Sequence, residues 1–262
     1  AIFVSVAYMK TVSKVPEVAI FKKGVDAINK VIFGVIRYII RLTPYAVLSL
    51  MAYATSRHTT NVDIMSLIIP VLVGYLACII QTFIVHGGII AGATRLNPIK
   101  FFQKIYPAQV VGFTSQSSIG TIPVTVRQLT DKLGVNEEVA SFVASMGANM
   151  GMPGCAGIWP AMLAVFSINA LGLNYSLVQY IVLIIVIVIV SIGTVGVPGT
   201  ATITATAVLA TIGLPLEVIV MLAPISSLVD MARTATNVTG SATAALIVAH
   251  SEKQIDLDVY NA

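Results

Sequence analysis

The sequence predicts an all-α, polytopic membrane protein, and three observations carry that prediction. Of its 262 residues 57% are apolar and 10% charged, with a mean hydropathy of +0.93, whereas soluble domains carry about a quarter charged residues. From Val139 through Leu216 no Asp, Glu, Lys, Arg or His occurs, and from Val218 to Ala249 only Asp230 and Arg233 do. Two apolar stretches are split in the middle by Ser, Gly and Pro, which leaves pieces too short to cross a bilayer singly.

The elements follow in order. Within residues 1–60, Val31 to Ala54 is apolar enough to span and carries Arg37 and Arg41 on one helical face; such arginines mark a helix end near headgroups or a face packed on protein. Residues 64–93 are almost uninterruptedly apolar and exceed the roughly 20 residues that a helix needs to cross. Residues 105–126 are interrupted by SQSSIGTIP (Ser115 to Pro123), leaving arms of about ten residues, half a bilayer's requirement. Residues 139–170 form a further span, broken at MGANMGMPGC (Met146 to Cys155), where three glycines and a proline interrupt the apolar run. Residues 176–212 are split by SIGTVGVPGT (Ser191 to Thr200). Before that split lies YIVLIIVIVIVS (Tyr180 to Ser191), a strand-like run in water but a helix where lipid demands internal hydrogen bonding. Residues 215–250 complete the set as a last long helix.

If the two split stretches are helical hairpins that enter and return on one side, the basic residues sort cleanly. Arg95, Lys100, Lys104, Arg127, Lys132 and Lys253 then share a side with Lys10, Lys14, Lys22 and Lys23, and only Arg57 falls opposite. That asymmetry is the positive-inside pattern. A hairpin followed by a long helix, first from one side and then from the other, is an inverted repeat. The net charge of +4 comes from these scattered residues rather than from a basic patch with aromatics, which argues against a nucleic-acid partner. Cys78 and Cys155 offer neither a disulfide framework nor metal spacing. The chain opens on AIFVSVAYMK, without initiator Met or cleavage signal, so it is expected to continue a longer protein whose first helices precede it.

The last helix carries a polar stripe. Asp230, Arg233, Thr234 and Asn237 follow i, i+3, i+4, i+7 spacing, with Ser226 one turn before and Ser241 one turn after. A structural ion pair between helices is the plainer reading, but ionisable residues within a membrane mark functional sites. A carboxylate that can take an ammonium group and an arginine that can take a carboxylate suit a zwitterion. The interrupted segments would add free backbone N–H and C=O groups at mid-depth, where transporters place their substrates.

Three motifs, SSIGTIP (Ser117 to Pro123), GTVGVPG (Gly193 to Gly199) and DMARTATNVTG (Asp230 to Gly240), resemble the two hairpin tips and the last helix of the glutamate-transporter-type dicarboxylate/amino acid:cation symporters. The resemblance runs from about Val31 to Glu252. It implies an elevator fold, a homotrimer, a multi-pass location in a bacterial inner membrane, a scaffold helix within residues 1–60, a transport domain over 61–262, and no cofactor. By position, Ser117 and Ser118 at the first tip and Val197, Pro198 and Gly199 at the second would close on substrate. Asp230 would hold the amino group, Asn237 and Thr234 the α-carboxylate, and Arg233 a side-chain carboxylate. Cys155 stands where acidic-amino-acid members have a Thr facing the substrate.

The departures from the family pattern are as informative as the matches. Sodium-coupled members carry NMDGT where this chain has GMPGC, so Gly151 replaces an Asn and Pro153 an Asp, and Ser241 replaces a further Asp. Those residues supply oxygen to sodium sites, and hard cations need oxygen. A residual cation site would remain around Met152, Ser191, Ile192 and Thr194. MGMPGCAG with QSSIGTIP is most similar to the branch that takes up L-cystine, whose two zwitterionic ends would engage Asp230, Thr234 and Asn237 at one side and Arg233 at the other. Coupling to protons is then expected, with Asp230 as first carrier and His86 as the alternative. The competing readings are a sodium-coupled carrier of small neutral or acidic amino acids, an intramembrane hydrolase and a passive channel. The hydrolase lacks paired aspartates and a GxSxG motif, and the channel lacks rings of like groups along a pore.

Overall fold

A computed structural model describes residues 8, 10–12, 15–25, 27, 28, 31, 45, 64–194 and 199–262. The chain divides into two compact units, Ala1–Ser49 and Leu50–Ala262. In the first, a 3₁₀ turn at Pro16–Val18 leads into a helical stretch over 19–25, and the rings of Tyr8 and Phe21 lie 6.1 Å apart. The stretch bearing Arg37 and Arg41, together with Arg57, Val197 and Pro198, lies outside the described residues.

The second unit is helical, and among its described residues there is only an isolated antiparallel bridge, Val135 to Ile255. Helix α1 (Ile64–Ile79) passes through a π-helical segment, Ile80–Val85, into α2 (His86–Thr94). Arg95 ends this rod in the left-handed region at φ 58°. Asn97 caps α3 (Pro98–Ser115), whose first residue is a proline, a position where the missing N–H costs nothing. Gln116 turns the chain at φ 52°, and Ser117 caps α4 (Ser118–Asp131) through its Oγ, which accepts from Gly120 N at 3.0 Å.

The turn between α3 and α4 is therefore two residues, Gln116 and Ser117, and not the whole of Ser115 to Pro123. Pro123 sits inside α4 and Pro107 inside α3. Each removes a single intrahelical bond, which membrane helices tolerate because neighbours re-satisfy the freed groups.

Asn136 caps α5 (Glu137–Gly147), with Glu137 and Glu138 complementing the helix dipole in its first turn. The chain then leaves helical geometry through Met152, with Gly151 at φ 63°. It re-enters a second π-helical segment, Pro153–Ile158, which continues as α6 (Trp159–Ala170). Helix α7 (Leu177–Ile192) opens on a complete capping box, Ser176 with Gln179. Substituting Ser176→Ala should lower stability by about 1 kcal/mol, readable as a depressed melting temperature in detergent. Gly199 (φ 87°) precedes α8 (Thr200–Thr211). The long helix α9 (Glu217–Ser251) and the short α10 (Leu257–Asn261) follow.

Among the described residues, three stretches are long and apolar enough to cross a membrane, Ile68–Thr94, Pro153–Ala170 and Glu217–Ser251. Helix α7 exposes Leu177, Val178, Ile184, Val188 and Ile189, the apolar surface expected of a lipid-facing helix.

Helix α9 is the axis of this unit, packed by α1, α3, α5 and the second π segment. Two apolar cores flank it. One gathers Trp159, Leu163, Leu183, Val208, Leu222 and Val229 from α6 to α8 and the first half of α9. The other gathers Ile90, Phe101, Leu129, Val238, Leu246 and Tyr260 from α2 to α5, α10 and the second half of α9. The polar stripe from Asp230 to Asn237 lies in the seam between Val229 of one core and Val238 of the other.

Close approach to α9 is secured by small residues. A Cβ built on Gly74 would meet Val229 at 2.8 Å, on Gly112 would meet Val238 at 2.9 Å, and on Gly147 would meet Ser241 Cβ at 2.6 Å. This is the packing logic of membrane helices, in which dispersion and close backbone contact replace the hydrophobic drive.

Helix α10 ties the ends of several elements together. Tyr260 is fully buried and its hydroxyl donates to Asn97 O at 2.9 Å. Burial pushes that phenol up to about 12, so it remains a donor at neutral pH. Lys104 Nζ donates to Val259 O and Tyr260 O at 2.7 and 2.9 Å, and Lys100 Nζ donates to Asn261 O, which satisfies carbonyls at the C-terminal end of α10.

Candidate functional site

The break after α5 is held on α9 by a side chain. Asn237 Oδ1 accepts from Gly154 N at 2.7 Å and from Cys155 N at 3.3 Å, satisfying N–H groups at the start of the π segment that have no intrahelical partner. The opening glycine is needed for a second reason. A Cβ at Gly154 would stand 2.7 Å from Arg233 Cα and closer still to Arg233 O, so only glycine permits this backbone-to-backbone contact.

From Asn237 the polar contacts run along one path. Asn237 Nδ2 donates to Cys155 Sγ at 3.1 Å, and Cys155 Sγ donates to Asp230 Oδ1 at 3.5 Å. Asp230 Oδ1 also accepts from Arg233 Nη2 at 3.0 Å. The same Nη2 donates to Ser226 O at 3.0 Å and lies 3.3 Å from Ser226 Oγ. Arg233 is 1% exposed and Asp230 28%. The pair is therefore open on its acidic side and sealed on its basic side. Among the described residues Arg233 Nε and Nη1 are buried without a partner, and leaving charged donors unpaired is costly unless an anion completes them.

Cys155, Asp230, Arg233 and Asn237 thus converge, and Thr234, next to Arg233 on α9, is buried. Ser117 is occupied as the cap of α4, and Ser118 opens that helix, half-buried. Their turn reaches α9 through Ser227 Oγ, which lies 3.4 Å from Gln116 Oε1, one residue from the serine that binds Arg233. At the second tip Gly199 is described and exposed.

Met152, Ser191 and Thr194 meet where Gly151 N donates to Ser191 O at 3.2 Å. Ser191 O also accepts from Thr194 N at 3.4 Å and Thr194 Oγ1 at 2.6 Å, while Met152 O accepts from Ala156 N at 2.8 Å. Ile192 is exposed at the end of α7. Ser191 O is thus taken up by three protein donors, whereas Met152 O accepts from one. Of the positions departing from the family pattern, Gly151 is exposed with open space around it, Pro153 Cγ lies 3.1 Å from a Cβ built on Gly240, and Ser241 Oγ donates to Val238 O at 2.9 Å. Among the described residues no cluster of His, Cys, Asp and Glu could hold a metal.

His86 is buried at the end of the first π segment, with Nε2 3.4 Å from Gln81 Nε2 and Nδ1 unpartnered. One turn earlier, Thr82 Oγ1 lies 3.0 Å from Thr236 Oγ1 on α9. Periodicity alone does not reveal this π segment or its polar contact, because IQTFIV reads as ordinary apolar helix. Trp159 is also absent from the sequence-derived set, yet its ring lies 4.2 Å from the Arg233 guanidinium carbon. The available signal was its place as the sole tryptophan, four residues beyond Cys155.

The sequence profile of the Sodium:dicarboxylate symporter family matches residues 1–251. The chain belongs to that family. The family's description is that of a symporter, a class of transport protein rather than of enzyme. It is 41% identical over 263 aligned positions to the L-cystine uptake protein TcyP of Bacillus cereus, covering 100% of this chain and 56% of that protein. Similarity extends at 36% identity to the L-cystine uptake protein TcyP of Bacillus licheniformis, over 99% of this chain and 56% of that one. An uncharacterized symporter of Haemophilus influenzae is 42% identical over 228 residues, 86% of this chain and 51% of its own length. The chain spans about half the length of the curated relatives it matches.

Proposed function

We propose that this chain supplies the substrate-binding part of a symporter that imports L-cystine together with protons. The observation that carries the reading is the buried guanidinium of Arg233, with Nε and Nη1 unpaired, beside the partly open carboxylate of Asp230. Cystine offers an ammonium and a carboxylate at each end. Asp230 would take one ammonium, Thr234 and the Nδ2 of Asn237 the adjoining carboxylate, and Arg233 the distal carboxylate. Asn237 Nδ2 can be redirected cheaply, since its present acceptor is a weak thiol sulfur. The printed name of the relatives supports the choice of substrate.

The helix pairs α3–α4 and α7–α8 act in this reading as re-entrant hairpins whose tips, Ser117 and Ser118 on one side and Val197 to Gly199 on the other, close over the substrate. Residues 61–262 form a transport domain that moves as an elevator against a scaffold to which residues 1–60 belong, within a homotrimer in a bacterial inner membrane. Asp230, alternately neutralised by proton and by substrate ammonium, is the proton carrier in this reading, with His86 as the alternative.

Uptake of labelled L-cystine into liposomes bearing the full-length protein, with proton and sodium gradients imposed separately, tests the reading. Uptake is expected to follow an inward proton gradient and to ignore sodium. An absolute sodium requirement would overturn proton coupling and favour the second reading, a sodium symporter using backbone oxygens at Met152 and Ser191. That reading draws on the family's description, but the engagement of Ser191 O by Gly151 and Thr194 speaks against it. His86→Gln separates the carriers: with Asp230 in the role, the variant keeps the response to the proton gradient, whereas with His86 in the role it loses that response and retains cystine exchange.

A further inference from the structure

Among the described residues, the hydrogen bonds made by the Arg233 guanidinium all go to its own helix, from Nη2 to Ser226 and Asp230. Bonds from one nitrogen to one helix restrain a planar group poorly, since it can still swing about that edge. The restraint from outside α9 is the indole of Trp159 at the start of α6, which lies over the guanidinium with Cζ 4.2 Å from the ring centroid. Both side chains are 1% exposed, so the stack is desolvated, the condition in which cation–π attraction is largest.

From this arrangement we propose that Trp159 is a positioning residue that gives the site its preference for substrates with a second carboxylate. The proposal rests on the reading above that Arg233 receives the distal carboxylate. An indole over one face blocks approach from that face and holds the plane, so that the unpaired Nε and Nη1 are presented edge-on. Arg–carboxylate bonds are directional and strongest in that plane. A guanidinium free to tilt would keep its charge but lose this alignment. The aliphatic substitute for such a ring would fill space without holding the plane.

The local chain geometry puts the indole there. Gly154 lies against the backbone of Arg233, and Asn237 pins the first turn of the π segment. Cys155 and Trp159, four residues apart, both face α9: the thiol meets Asp230 and the ring covers Arg233. The two contacts therefore address opposite ends of a bound molecule. The thiol sits beside the group assigned to the ammonium, and the ring steadies the group assigned to the far carboxylate.

The test uses the full-length protein in detergent or liposomes with two probes, L-cystine and S-methyl-L-cysteine, the latter having one zwitterionic end and a neutral thioether. Affinities are measured by competition for Trp159→Tyr, Trp159→Phe, Trp159→Leu and Arg233→Met. Loss of the stack in Trp159→Leu should weaken cystine by about tenfold, the scale of a desolvated cation–π contact, with S-methyl-L-cysteine unchanged. Trp159→Tyr and Trp159→Phe retain a ring and should weaken cystine by about threefold or less, again selectively. If the leucine variant fails to fold, the two aromatic variants carry the test through the same selectivity ratio. Equal weakening of both probes, or no change in the ratio anywhere in the series, would overturn the proposal. Arg233→Met tells the two claims apart. A selective loss of cystine there, with Trp159 variants unaltered, sinks only the role of Trp159; if Arg233→Met leaves the ratio unchanged, the assignment of the distal carboxylate fails with it.

Discussion

Replacing Arg233 with lysine in the full-length protein is expected to reduce L-cystine uptake by about a hundredfold or more, because a buried charged hydrogen bond left unmade costs about 2–5 kcal/mol. The substitution keeps the positive charge, so a purely electrostatic role would survive it. The structure assigns the guanidinium more than charge. Its Nη2 bridges Ser226 and Asp230, its carbon sits over the Trp159 ring at 4.2 Å, and its other nitrogens are unpaired among the described residues. An ammonium is a compact point charge without a fork or a face, so it can satisfy Asp230 or a substrate but not both in this geometry. Uptake kinetics on purified protein of unchanged melting temperature would make the comparison. Uptake within a few-fold of the parent would refute the role given to Arg233.

The second large effect concerns a residue with no side chain. Gly154→Ala should destabilise the fold by about 3 kcal/mol or more, since the added methyl meets main chain rather than a side chain that can move aside. Its Cβ would lie 2.7 Å from Arg233 Cα and press on Arg233 O. Relief requires the π segment to lift from α9. That movement would break both bonds to Asn237 Oδ1 and draw Trp159 off the guanidinium. Gly157→Ala, three residues on, is the internal control, because a Cβ there meets nothing within 4 Å. Thermal unfolding in one detergent would compare them. Equal melting temperatures for the two variants would show that the close contact at Gly154 contributes nothing.

The polar stripe was legible because it depends on spacing within one helix: Asp230, Arg233, Thr234 and Asn237 share a face in any α-helix. The interruption at Met146 to Cys155 was legible for a similar reason, since Gly151 and Pro153 announce themselves locally. What spacing cannot supply is the partner. The amide of Asn237 caps the break in this structure, and Trp159 acts across a helix interface, so neither relation is written in the local pattern. The extent of the first turn was overread because Pro123 counts as a breaker in water, whereas inside α4 its lost bond is absorbed. The π segment Ile80–Val85 has no local signature at all. Its location is tied to a tertiary contact, Thr82 with Thr236.

The two apolar cores that share α9 also bear on how the protein is made. Every other long helix described in the second unit precedes α9 in the chain, so among these helices ribosomes deliver the shared axis last. Until then the glycine faces of α1, α3 and α5 and the pinned start of the second π segment have no surface to close on. Helices inserted earlier must wait in lipid with their mutual interfaces unfilled. The arrival of α9 therefore closes most of both cores in one event, and that event also brings Asp230, Arg233 and Asn237, the residues proposed to bind substrate, against Cys155 and Trp159. On the proposed function, binding competence and the closing of the two cores are acquired in the same step.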